Sequence, residues 1–202
     1  MKIIHENEKT IKNLIDDSNA QEIKVCIFGI DKSVKSAFLK RIESNDNFNN
    51  FKESIKIYTP SMTATYHHHI TVKYRNRLFE LNFWENPGQL KYLNISVIFC
   101  SGCSAILNFY DPFNKNSFEL IKKQVQLIKK KKCFPYTYIL VKSKWDLNET
   151  KDRNIMVSDE EVLEYAYENN LLFRNLSNIE KYGSGIEEII EDCINCYLHK
   201  NN

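Results

Sequence analysis

The segment Gly29-Ile30-Asp31-Lys32-Ser33-Val34-Lys35-Ser36 sets a glycine, a lysine and a hydroxyl at the spacing of the phosphate-binding pattern G-x-x-x-x-G-K-[ST]. In that chemistry, backbone amides and a helix N-terminus face the phosphate oxygens. The lysine reaches the outer phosphates and the hydroxyl ligates Mg2+. Lys35 and Ser36 keep both side-chain roles, with Asp31, Lys32 and Ser33 as loop residues before them. The second glycine is replaced by Val34, a stiff β-branched side chain where backbone must come close to phosphate. Glycine is scarce, 5 in 202 residues, and phosphate loops usually need it. A plain alternative is that Gly29 ends a strand and Lys35-Ser36 opens a surface helix.

The elements that must position this loop alternate along the chain. Lys24–Gly29 is an apolar run closed by glycine, as a buried strand is, and Lys35–Ser44 follows with helical spacing of Ala37, Phe38, Leu39 and Ile42. Residues 45–61 are polar and loop-like. Strands are expected at Tyr66–Tyr74 and Leu78–Trp84, joined by a turn at Arg75-Asn76. Strands at Ala105–Tyr110, Tyr138–Val141 and Leu171–Leu176 then alternate with helices at Asn114–Lys132, Ser158–Asn169 and Gly185–Leu198. Ser158 with Glu161 three residues later is a capping pattern. Such alternation implies a mostly parallel sheet covered on both faces, with ligands at the carboxyl ends of its strands.

Four further segments fall in order: Tyr58-Thr59-Pro60-Ser61-Met62, Trp84-Glu85-Asn86-Pro87-Gly88-Gln89, Ser143-Lys144-Trp145-Asp146 and Leu176-Ser177-Asn178-Ile179. With the phosphate loop they resemble the Ras superfamily of small GTPases, closest to its Ras and Rab branches, over about residues 22–198. The resemblance implies a P-loop G domain: α/β, a mostly parallel six-stranded sheet with helices on both faces. It implies GTP or GDP with Mg2+ as ligands. Ser61 then takes the place of the threonine that ligates Mg2+ and senses the γ-phosphate, and Glu85 that of the aspartate holding Mg2+. Gly88 matches the glycine whose amide meets the γ-phosphate, and Gln89 the glutamine that orients the attacking water. Asp146 would read the guanine edge and the Lys144 stem would lie over the base. Ser143 replaces an asparagine there, removing a contact worth about 1 kcal/mol. Ser177 and Asn178 stand in the family's last base-binding loop, where Ile179 replaces its lysine, and Pro87 stiffens a segment that normally moves.

The remaining features carry bland readings. Three neighbouring histidines, His67-His68-His69, point to alternate faces of a strand and do not converge on one ion. Cys100-Ser-Gly-Cys103 has CxxC spacing without a second CxxC, and reads as ordinary thiols. The lysines at 129–132 crowd the C-terminal end of a predicted helix, where they complement its dipole. With 28 Lys+Arg against 26 Asp+Glu, the charge balance gives no argument for nucleic acid as a partner. The six cysteines follow no secretory signal, no apolar run reaches membrane-spanning length, and no cysteine stands in a prenylation position.

The expectation is therefore a cytoplasmic, single G domain at 22–198, with an extension at 1–21 that is partly helical (Ile11, Leu14, Ile15) and a short tail at 199–202. Its partners would be protein effectors or regulators, with any membrane contact made through a partner. Two functions follow from the same residues. One is a guanine-nucleotide switch with slow or partner-dependent hydrolysis, supported by Lys35, Ser36, Gln89 and Asp146. The other is a pseudo-GTPase kept as an interaction module, supported by Val34, Glu85, Ser143 and Ile179.

Overall fold

An apolar run such as Val25-Cys26-Ile27-Phe28 can bury both of its faces only inside a sheet, and that is where it lies. The computed structural model describes residues 1–4, 20–29, 35–43, 66–88, 90–131, 137–143, 157–176 and 185–201. Its strands are β1 (Lys2–Ile4), β2 (Gln21–Gly29), β3 (Tyr66–Tyr74), β4 (Arg77–Glu85), β5 (Ala105–Tyr110), β6 (Thr137–Lys142) and β7 (Leu172–Asn175). The helices are α1 (Lys35–Glu43), α2 (Leu93–Phe99), α3 (Lys115–Lys130), α4 (Asp159–Asn169) and α5 (Ile186–Asn201).

The strands lie in the order β1-β3-β4-β2-β5-β6-β7. All six expected strands are present, and β1 adds a seventh at the edge. The pairs β1·β3 and β3·β4 are antiparallel and the others parallel. Parallel pairing brings the carboxyl ends of β2, β5 and β6 to one side, with Gly29 opposite Phe109 and Tyr110 opposite Lys142. The expected helical stretch of the N-terminal extension, around Ile11, Leu14 and Ile15, lies outside the described residues.

Side-chain alternation along the central strands divides the core in two. Ile23, Val25 and Ile27 of β2, with Leu107 and Phe109 of β5, face α1 and α5 and pack on Phe38, Leu39, Ile189 and Ile190. Cys26 and Phe28, with Ile106 and Tyr110, face the other way, onto Val97 of α2, Phe118 and Ile121 of α3, and Val162 of α4. Each strand thus serves both layers. β4, nearer the edge, alternates instead: Phe79, Leu81 and Phe83 are buried while Leu78, Glu80 and Asn82 are half-buried.

Local chemistry fixes the element ends. Arg75 and Asn76 have φ of 47° and 61°, the paired left-handed conformation of a tight two-residue hairpin. Ser158 caps α4, its hydroxyl accepting from the Glu161 amide at 3.1 Å. Gly185 opens α5 at φ 90°, and a Cβ placed there would lie 2.0 Å from the Asn175 carbonyl oxygen. Of the histidines, His68 is half-buried and His69 exposed, as alternation requires. Helix α2 was not expected from the sequence; only its Ser96 and Val97 are buried, and Ile95, Ile98 and Phe99 are 55%, 65% and 43% exposed.

Candidate functional site

The carboxyl ends of β2 and β4 meet the start of α1, and four of the expected site residues come together there. Gly29 closes β2 at φ 140°, a region that disfavours any side chain. Lys35, the first residue of α1, is only 5% exposed, and its ammonium donates to the Gly29 carbonyl oxygen at 2.8 Å. Next to it, the Ser36 hydroxyl donates to Glu85 Oε1 at 2.6 Å. Glu85 ends β4 opposite Ile27 of β2 and is 3% exposed.

Glu85 stands where the resemblance expects an aspartate, with one methylene more in its side chain. The longer side chain spans from β4 to α1 and reaches the hydroxyl directly. The two oxygens form a hard donor pair of the kind Mg2+ takes. In an octahedral shell of about 2.1 Å, adjacent oxygens are about 3.0 Å apart, so the pair fits with a small spreading. A buried ammonium beside a hydroxyl–carboxylate pair is likewise the donor set that a Mg2+-bound polyphosphate requires.

Sequence reasoning missed the residue that holds this corner in place. Asn86 is 1% exposed; its backbone amide donates to the Ile27 carbonyl at 2.9 Å, and its side-chain amide donates to the same oxygen at 3.3 Å. It clamps the segment leading to Pro87 and Gly88 onto β2, and both of those residues are half-buried. The signal available was register alone: once Ile27 is paired with Glu85, the next residue must cross over the end of β2.

At the neighbouring strand end, Ser143 is fully buried. Its amide and its hydroxyl both donate to the Tyr110 carbonyl, at 3.0 and 2.7 Å. The side chain that replaces asparagine therefore ties the end of β6 to β5, and its one proton is used in doing so. Beside it, Lys142 pairs with Asp159 at 2.7 Å, joining the end of β6 to the first turn of α4. Burial pushes the Tyr110 phenol up, keeping it neutral. Asp31, Lys32, Ser33, Val34, Ser61, Gln89, Lys144, Asp146, Ser177 and Asn178 lie outside the described residues. The ends from which several depart are fixed: Leu176, just before Ser177, donates its amide to the Lys142 carbonyl at 2.9 Å.

Comparison with known proteins agrees with this geometry. The model of the Ras family matches residues 24–198. Among curated proteins, Ras-related protein Rab-1 of Theileria parva is 26% identical over 180 residues, covering 86% of this chain and 76% of that protein. The GTP-binding protein YPT52 of Saccharomyces cerevisiae is 27% identical over 189 residues, covering 85% and 80%. Ras-related protein Rab-31 of Rattus norvegicus is 25% identical, covering 84% of each chain. With a family match that spans nearly the whole sheet and a lysine, a hydroxyl and a carboxylate gathered at its carboxyl edge, the chain belongs to the Ras family of small GTPases.

Proposed function

We propose that this protein binds guanine nucleotide with Mg2+ and works as a switch whose GTP hydrolysis is slow or partner-dependent. The observation that carries the proposal is the Ser36–Glu85 pair at 2.6 Å beside the buried Lys35 ammonium. A surface helix opening would leave these groups in solvent. Lys35 and the loop amides of residues 31–34 would hold the phosphates. Ser36, Ser61 and Glu85 would hold Mg2+, which when bound neutralises phosphate charge. Gly88 would donate its amide to the γ-phosphate and Gln89 would align water for in-line attack. Ser143, Lys144, Asp146, Ser177 and Asn178 would surround the base, with Asp146 reading the guanine edge. The exposed Ile95, Ile98 and Phe99, a few residues beyond Gln89, offer an apolar surface to a protein effector or regulator, which would also supply any arginine finger.

One observation favours the second reading, a pseudo-GTPase acting as an interaction module. The Ser143 proton is already given to Tyr110, so the base loop has one donor fewer than an asparagine would provide. We place the protein in the cytoplasm, at a membrane only through a partner; among the described residues, no helix is long and apolar enough to cross one.

One experiment separates the two readings. The purified chain is denatured, released nucleotide is identified by chromatography, and the emptied protein is titrated with GTP, GDP and ATP in the presence of Mg2+. Stoichiometric or saturable guanine-selective binding is the expected result. A folded chain that releases nothing and binds nothing would leave the interaction module.

A further inference from the structure

Cys26 lies on β2 three residues before Gly29, and its side chain points to the α2–α3 face. There it meets the CxxC pair. Cys100 ends α2 and Cys103 precedes β5, and the turn between them closes through the Cys103 amide to the Cys100 carbonyl at 3.1 Å. Gly102 in that turn has φ 74°, which lets the chain reverse tightly enough to bring both thiols to one side. The Sγ atoms of Cys26, Cys100 and Cys103 all lie within 4.8 Å of one another, and all three residues are buried.

The geometry points to a metal site: Cys26, Cys100 and Cys103 form a three-thiolate cradle for one soft, thiophilic d10 ion of the Zn2+ or Cu+ class. Sulfurs around such an ion, at a metal–sulfur distance of about 2.3 Å, stand about 3.8–4.0 Å apart, which this trio reaches with only small movements. No other His, Cys, Asp or Glu joins the set among the described residues. Carbonyl oxygens adjoin it, Phe99 O at 3.6 Å from Cys26 Sγ and Ser96 O at 3.6 Å from Cys100 Sγ. A trigonal Cu+ needs only the three sulfurs, whereas Zn2+ would draw on one of these oxygens as a fourth ligand.

Charge fits as well. Three thiolates around a divalent ion leave one net negative charge. The Lys24 ammonium stands over the turn, donating to the Ser101 carbonyl at 3.1 Å. Cys193 is the contrast: equally buried, but set among apolar side chains of the other face and away from the trio. A bound ion would tie the C-terminal end of α2 to the strand that leads into the phosphate loop.

The test is an anaerobic titration of the reduced full-length chain with Cd2+, as a spectroscopic stand-in for Zn2+, and separately with Cu+. Each is followed by its ultraviolet sulfur-to-metal charge-transfer band. The expected result is a band saturating at one ion per chain with at least one of the two metals. Saturation by Cu+ alone selects the trigonal form, and by Cd2+ the four-coordinate form. Cys26→Ala and Cys103→Ala should abolish the band and Cys193→Ala should retain it. Because replacing a core thiol also disturbs packing, X-ray absorption on the wild-type chain loaded with Zn2+ or Cu+ gives a second readout: three sulfur neighbours at about 2.3 Å. No band from a folded, reduced chain, fewer than three sulfurs, or a band that survives Cys26→Ala would overturn the assignment.

Discussion

The two faces of the sheet are built on opposite policies. The face under α1 and α5 is almost entirely aliphatic and aromatic, with Phe38 packed against Phe83 and Phe109 at ring separations of 6.1 and 5.3 Å. The face under α2, α3 and α4 holds buried polar groups. The Asn108 side-chain amide donates to Gln124 Oε1 at 2.5 Å and to the Tyr138 hydroxyl at 2.8 Å, and the three-cysteine cluster sits close by. Both faces are sealed from water, so the difference is not one of burial. An apolar face is set by shape and tolerates small shifts of its helices. A face with buried donors is set by pairing, because each unpaired group costs about 1–3 kcal/mol. The phosphate-loop helix α1 rests on the first kind of face, and α2, which follows Gln89, on the second.

The sharpest way to break the apolar face is at the entry to α5. Gly185→Ala forces a methyl group onto the Asn175 carbonyl and a side chain into positive φ, so we expect a loss of at least about 3 kcal/mol in urea unfolding. A loss below about 1 kcal/mol would mean that α5 can slide on its face without penalty. On the opposite face, Asn108→Leu takes the amide donor away from Gln124 and Tyr138 and should cost about 2 kcal/mol. The triple change Asn108→Leu, Gln124→Leu, Tyr138→Phe should recover most of that, since the polar groups that met at Asn108 are then all removed. Failure to recover would show that the network does more than satisfy itself.

At the edge where the faces meet, Glu85→Gln removes a carboxylate charge from the proposed Mg2+ site. Nucleotide affinity in Mg2+ should fall about tenfold, roughly 1.4 kcal/mol, while affinity in EDTA should be unchanged. Equal losses in both conditions would instead make Glu85 a structural anchor for Ser36. The smallest effect belongs to Ser158→Ala, which uncaps α4 on the polar face and should lower stability by about 1 kcal/mol without touching nucleotide binding.

The sequence made much of this legible where the signal was local. The hairpin turn at Arg75-Asn76, the cap at Ser158 and the strands at residues 66–74 and 105–110 follow from neighbouring residues, and the structure places them there. Helix α2 escaped because Leu93-Asn-Ile-Ser-Val-Ile-Phe99 is short and rich in β-branched residues. Its helical state rests on packing of Val97 against the sheet. β1 escaped because three residues carry no periodicity, and its partner β3 is distant in sequence. In the candidate site, motif spacing located Lys35, Ser36 and Glu85. It could not show that Glu85 bonds Ser36, that Asn86 clamps the corner, or that Cys26 joins the CxxC pair of the turn between α2 and β5. Each of those depends on register, which short motifs do not encode.

The edge strand β1 behaves as a ligand that the chain carries for itself. Its Lys2, Ile3 and Ile4 lie opposite Lys73, Val72 and Thr71 on the outer rim of β3. Strand addition at that rim is a common way for one protein to capture another. Here an incoming strand must first displace residues 2–4, which already occupy that rim. While β1 stays paired, the rim of β3 is closed to such capture.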